Sequence, residues 1–147
     1  MEIKEIQKSV FSVRLVKEEE VIQSFTQWAS DQKIGFASFQ AIGALKEVEL
    51  GYYDLHKKTF LKKIFKDDLE LLSGLGNISW VESKTPFVHF HASLGQRDYA
   101  VIGGHVFSAK VAVAFECFVT VYPVKVFKKD DPDIGLKVWN LENCQIF

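Results

Sequence analysis

Three of the four histidines in this chain, His89, His91 and His105, fall within residues 86–107. Neutral imidazole is a good nitrogen ligand, and three rings meeting about 2.0–2.1 Å from one ion leave a coordination position for water or a further ligand. That donor set suits a divalent ion of the zinc, nickel or copper type, with zinc the expected one. The chemistry depends on whether the rings reach one point, so the elements that carry them decide it.

Residues 86–95 and 100–107 are two apolar runs separated by the polar turn Gln-Arg-Asp-Tyr, a β-hairpin pattern. Alternation along a strand puts Val88, Phe90, Ala92 and Leu94 on one face and Phe87, His89 and His91 on the other. A three-residue loop of Gln96, Arg97 and Asp98 would pair Gly95 with Tyr99, setting His89 opposite His105 and His91 opposite Gly103. Opposed Cβ atoms lie about 5 Å apart, so three imidazoles would converge. A four-residue loop would turn His105 to the other face. Gly103 and Gly104 beside it fit a bulge or a close backbone approach. The plainer alternative is a set of polar residues on a half-exposed sheet face, bonded to each other and to water.

Two acids are candidates for supporting or acid–base work. Glu116 stands alone among apolar neighbours in residues 111–121, and burying an ionised carboxylate without a partner is expensive, so it is exposed, protonated or paired. Paired with a ring N–H it would orient a metal-binding histidine from behind. Glu49, in the strand pattern around Tyr52, is the second candidate. Cys117 and Cys144 lack Cys-x-x-Cys spacing and read as buried free thiols. A Gly-rich phosphate cradle and a Gly-x-Ser-x-Gly elbow are both missing from the sequence.

The chain that must position these groups has 147 residues, 48% of them hydrophobic, with 13 Phe and 3 Trp. One domain spanning residues 1–147 with a single sheet-rich core follows. A net charge of −1 with both signs interspersed leaves no general footprint for nucleic acid. The N-terminal residues lack the apolar run of a signal peptide and no stretch is long enough to span a membrane, so the expected location is cytoplasmic.

Along the chain, residues 9–16 alternate as a half-buried strand. Glu18, Glu19 and Glu20 then open a helix whose stripe is Val21, Ile22, Phe25, Trp28 and Ala29, with Gly35 as the expected stop. Residues 36–54 suggest two strands bent at residues 43–46. Residues 59–65, with Lys62 and Lys63, read as a protected edge strand. Residues 69–81 form a strand with two interior glycines, which permit a bend or a close approach by a ligand or another strand. Residues 111–121 form another strand, with Val111, Val113, Phe115, Cys117, Val119 and Val121 on one face. Residues 128–135 read as a loop, and 136–147 as a last strand or tail.

Five segments, residues 41–45, 48–54, 69–78, 86–91 and 103–106, together resemble the plants-and-prokaryotes conserved (PPC) domain in order along nearly the whole chain. The resemblance implies an α+β fold, a mostly antiparallel β-sheet flanked by few helices, and a homotrimer. It also carries a DNA-binding label belonging to plant members, which act through a separate Arg-Gly-Arg-Pro hook that this chain does not contain. The His-x-His and Gly-Gly-His pattern is similar to the prokaryotic branch alone. The expected function is a small homotrimeric binding or regulatory module with a three-histidine divalent-metal site. The alternative is a metal-dependent enzyme acting on a small molecule through a metal-bound water, and the third possibility is a DNA-binding domain.

Overall fold

The structure, a computed structural model, describes residues 1–81 and 85–146. Its strands are β1 (Glu2–Gln7), β2 (Val10–Val16), β3 (Phe36–Asp54), β4 (Thr59–Phe65), β5 (Leu69–Val81), β6 (Thr85–Gly95), β7 (Val101–Tyr122), β8 (Val124–Asp131) and β9 (Leu136–Ile146), and the single helix among the described residues is α1 (Val21–Asp31). They pair in the order β1-β2-β7-β3-β5-β8-β9, with β4 added to β3, and β6 bridging β5 and β7. Every pairing is antiparallel except β5 with β8. The mostly antiparallel architecture expected from the sequence is therefore present, with one helix on it.

Because β3 pairs with β5 and β7, and β6 also pairs with both, these four strands close a circuit. Its interior is apolar: Phe39, Leu71, Ile78, Phe90, Leu94 and Phe115 are all buried. The helix lays Val21, Phe25, Trp28 and Ala29 against this core, with the Phe25 ring stacked on Phe39 at 4.9 Å and edge-on to Phe115 at 6.0 Å.

Local chemistry sets the helix ends. Glu20 is the N-cap, accepting from the Gln23 N–H through one carboxylate oxygen and from the Ala109 N–H through the other, so helix and β7 share a cap. The end comes before the expected Gly35. Lys33 takes the left-handed conformation at φ 53°, and the Ile34 N–H donates to the Ala29 carbonyl at 2.9 Å, closing a Schellman turn.

Three expectations for the strands are corrected. Residues 36–54 are one strand, not two: the ladder shifts register at Gly43 and again between Lys46 and Leu50 but does not break. Its second half thereby swings away to pair with β4. In β7 the alternation is interrupted, since Gly43 faces Phe115 while Leu45 faces Val111. The extra residues on β7 turn Val113 outward, 74% exposed, instead of inward with Val111 and Phe115. Finally, Lys128 is not in a loop: residues 124–131 form β8, hairpinned to β9.

Candidate metal centre

The alternation of β6 is as the sequence indicated. Val88, Phe90, Ala92 and Leu94 are buried in the core, which leaves Phe87, His89 and His91 on the opposite face. The register differs from the expected one by two residues: Gly95 pairs with Val101, so His91 faces His105 and Ser93 faces Gly103. The connecting loop holds five residues, closed by the Gln96 N–H to the Ala100 carbonyl and the Tyr99 N–H to the Gln96 carbonyl, both at 2.9 Å. A slip of two keeps every side chain on its face, so His105 still arrives beside the other two rings.

The three imidazoles converge. Ring centroids are 5.0 Å apart for His89 and His91, 5.1 Å for His89 and His105, and 5.3 Å for His91 and His105. One nitrogen from each lies within 4.8 Å of the others. The Nε2 atoms of His89 and His91 are 3.1 Å apart, close to the separation of about 3.3 Å that tetrahedral ligands about 2.05 Å from one ion adopt. Among the described residues this is the one group of three or more His, Cys, Asp or Glu side chains spaced to hold an ion.

Burial fixes the protonation state. Burial first, and the neighbouring rings and the Lys128 charge after it, hold His89 and His105 down from 6.5 to about 4. His91 is lowered by burial as well. All three are neutral at pH 7, the form that offers a lone pair to a metal.

The glycines Gly103 and Gly104 serve close approach between strands. A Cβ at Gly103 would lie 2.6 Å from the Ala92 carbonyl oxygen, and one at Gly104 would lie 2.8 Å from that of Gly51. With no side chain at either position, β7 sits tightly between β6 and β3, and that brings the strand carrying His105 up against the other two rings.

The two acids stand elsewhere. Glu116 is exposed, faces Arg14 and Ile42 on the neighbouring strands, and lines a second hollow. Glu49 accepts from Lys62 at 3.4 Å, and the Lys62 ammonium in turn lies 3.5 Å over the Phe107 ring, which contacts His105 edge-on at 4.6 Å. Glu49 is thus two side chains removed from the nearest imidazole.

A hollow of about 660 Å³ opens in front of the rings. Its walls include Tyr53, Phe60, Phe87 and Phe107, with Lys128 and Asp130 from β8. The β8–β9 hairpin is fastened across from the imidazoles by three contacts. The middle of β8 pairs in parallel with the end of β5, Val81 facing Lys128. At its turn, the Tyr53 hydroxyl donates to the Ile134 carbonyl at 2.6 Å and the Lys58 ammonium to the Pro132 carbonyl at 2.8 Å. The sequence reading missed this wall. The signal for it was the turn set Asp-Pro-Asp-Ile-Gly at residues 131–135 between two runs of apolar residues.

Comparison with known proteins places this geometry. The model of the Plants and Prokaryotes Conserved (PCC) domain matches residues 4–124. A candidate DNA-binding protein of Bacteroides thetaiotaomicron has a similar structure, with a TM-score of 0.91 at 26% identity, covering 97% of this chain and 98% of that one. The metal-containing protein from Archaeoglobus fulgidus is 35% identical, with a TM-score of 0.81 and 94% of each chain covered. A plant- and prokaryote-conserved protein of Pyrococcus horikoshii is 29% identical, with a TM-score of 0.82, covering 95% of this chain and 93% of that one. No curated protein matches the chain in sequence. A domain model that accounts for residues 4–124, including all three converging histidines, shows that the chain belongs to the Plants and Prokaryotes Conserved domain family.

Proposed function

We propose that this chain is a metal-binding module of its family that holds one divalent ion, zinc first, through His89, His91 and His105. The observation that carries this reading is the convergence of three neutral ring nitrogens within 4.8 Å on closely packed strands. The metal-containing relative from Archaeoglobus fulgidus supports it. Three neutral ligands leave the ion its full charge and a free coordination position, the pattern of an open rather than a closed structural site. The ion would supply Lewis acidity, and the chain's own residues would align the ligands and dry the surroundings. Cobalt(II) titration of metal-free protein tests the reading: a visible absorption band saturating at one equivalent, reversed by zinc, supports it, and a spectrum identical to free cobalt contradicts it.

The module is proposed to act as a homotrimer. Ile42, Leu72, Leu75 and Phe118 are each more than half exposed and line one hollow on the outer face of the sheet, an apolar patch of the kind that marks an interface. Leu75 pairs directly with the exposed His91. A second copy seated on this patch would therefore border the metal centre.

Enzymatic turnover is the second reading, favoured by the aromatic hollow beside the open coordination position. Neither Glu49 nor Glu116 lines that hollow, so the proton carrier it needs would come from Tyr53, Asp130 or Lys137 instead. The DNA-binding name of the Bacteroides thetaiotaomicron relative supports a third and weaker reading. Lys46, Lys62, Lys110 and Lys137 are engaged with Glu18, Glu49, Glu47 and Asp130, so these four ammonium groups already have carboxylate partners that a phosphate would have to displace.

A further inference from the structure

The C-terminal hairpin brings to the histidine hollow a charge that the metal reading does not use. Lys128 is only 8% exposed. Its ammonium lies 4.6 Å from the centre of the Phe87 ring and donates to the Lys137 carbonyl at 3.2 Å. Among the described residues no carboxylate lies within ion-pair distance of it, because Asp130, the acid in the same hollow, is taken by Lys137 at 2.7 Å. An ammonium has three hydrogens to donate, and a buried charge without a counter-ion is costly.

The hollow's charge is one-sided for a second reason. Three neutral imidazoles bring no negative charge, so a divalent ion on them would face the interior with its full charge. The rest of the wall is mainly aromatic, with Asp130 and Lys137 offsetting each other as an ion pair, and the space suits one small organic molecule. A single compact ammonium matches a monoanion. A phosphate dianion wants several donors or a planar guanidinium fork, which this wall does not offer.

We infer that the hollow binds a small organic carboxylate, its apolar body packed on Tyr53, Phe60, Phe87 and Phe107 and its carboxylate met by the Lys128 ammonium. Lys128 lies in the C-terminal hairpin, beyond residues 4–124 that the family model matches. The inference rests on the metal reading only for the ion's share of the attraction. The contribution of Lys128 is present with or without it.

The test uses benzoate as probe and benzyl alcohol as its uncharged counterpart, titrated into zinc-loaded and metal-free full-length protein and followed by aromatic NMR shifts. Benzoate is expected to bind saturably, with benzyl alcohol at least about tenfold weaker. Lys128→Met should lose at least about tenfold in benzoate affinity in both metal states, while Lys128→Arg keeps most of it. Lys128→Met should also melt no lower than wild type, since an apolar chain of similar volume replaces a buried ammonium. If it fails to fold, the benzoate and benzyl alcohol comparison on wild type still decides. Unsaturable benzoate binding, equal affinity for benzyl alcohol, tighter binding of inorganic phosphate, or a folded Lys128→Met that binds benzoate like wild type overturns the inference. Zinc content is measured on the same samples. Protein that takes up no zinc on attempted loading yet shows Lys128-dependent benzoate binding retires the metal reading alone, and zinc-loaded protein whose benzoate binding ignores Lys128 retires this one alone.

Discussion

His91 and His105 face one another directly across the β6–β7 pairing, with ring centroids 5.3 Å apart, while His89 reaches the same point from two residues along β6. The site is therefore built from two strands of one hairpin. Its geometry is as rigid as their ladder.

That rigidity predicts a pH effect on the metal-free protein. The folded chain holds His89 and His105 near 4, against 6.5 when unfolded. Between those values the unfolded chain binds more protons, so stability rises with pH across the window. The contribution is complete above about 6.5 and is lost as pH falls through about 4. Urea midpoints of metal-free wild type should fall between pH 7 and pH 4.5, and those of a His89→Gln/His105→Gln variant should fall less. Equal slopes would mean that the rings are not held neutral by the fold.

Packing behind the site gives a second prediction. A Cβ at Gly76 would press on the Phe39 ring and lie 2.6 Å from the carbonyl oxygen of His89. Gly76→Ala should cost about 1–3 kcal/mol of stability. By pushing β6 it should also weaken metal binding, although no ligand is altered. A variant as stable as wild type with unchanged cobalt affinity would show that the strand has room to move.

The legible part of the site was the spacing His-x-His followed by Gly-Gly-His on alternating apolar runs. The register was not legible, because the loop places Tyr99 at φ 66°, a conformation that bulky residues rarely adopt and no propensity suggests. The faces survived because the error was an even number of residues. The C-terminal wall was hidden for a different reason. Its sequence from Lys128 to Asp131 is charged throughout, which reads as solvated loop, yet Lys128 and Val126 turn inward together. Likewise the long β3 looked like two strands because Gly43 punctuates it, whereas the bend only redirects a continuous ladder.

Self-association gives a third prediction. Leu75 is 60% exposed on the apolar patch beside His91. Leu75→Asp should convert the assembly measured by light scattering from three copies to one, since a charge buried in an apolar contact is strongly unfavourable. A wild type that already runs as a monomer would refute the trimer.

Thiol chemistry supplies a fourth. Burial pushes the Cys117 thiol up to about 12, so it carries almost no thiolate at neutral pH. In native protein carrying Cys144→Ser, a disulfide reagent should release no chromophore until denaturant is added. Rapid reaction under native conditions would place Cys117 outside the core.

The most direct test of the account is the metal content, by elemental analysis, of protein purified without an affinity tag. Close to one divalent ion per chain, zinc foremost, is expected, and none after His89, His91 and His105 are replaced together by Ala. Background metal in the wild type, unchanged by that triple replacement, would contradict it.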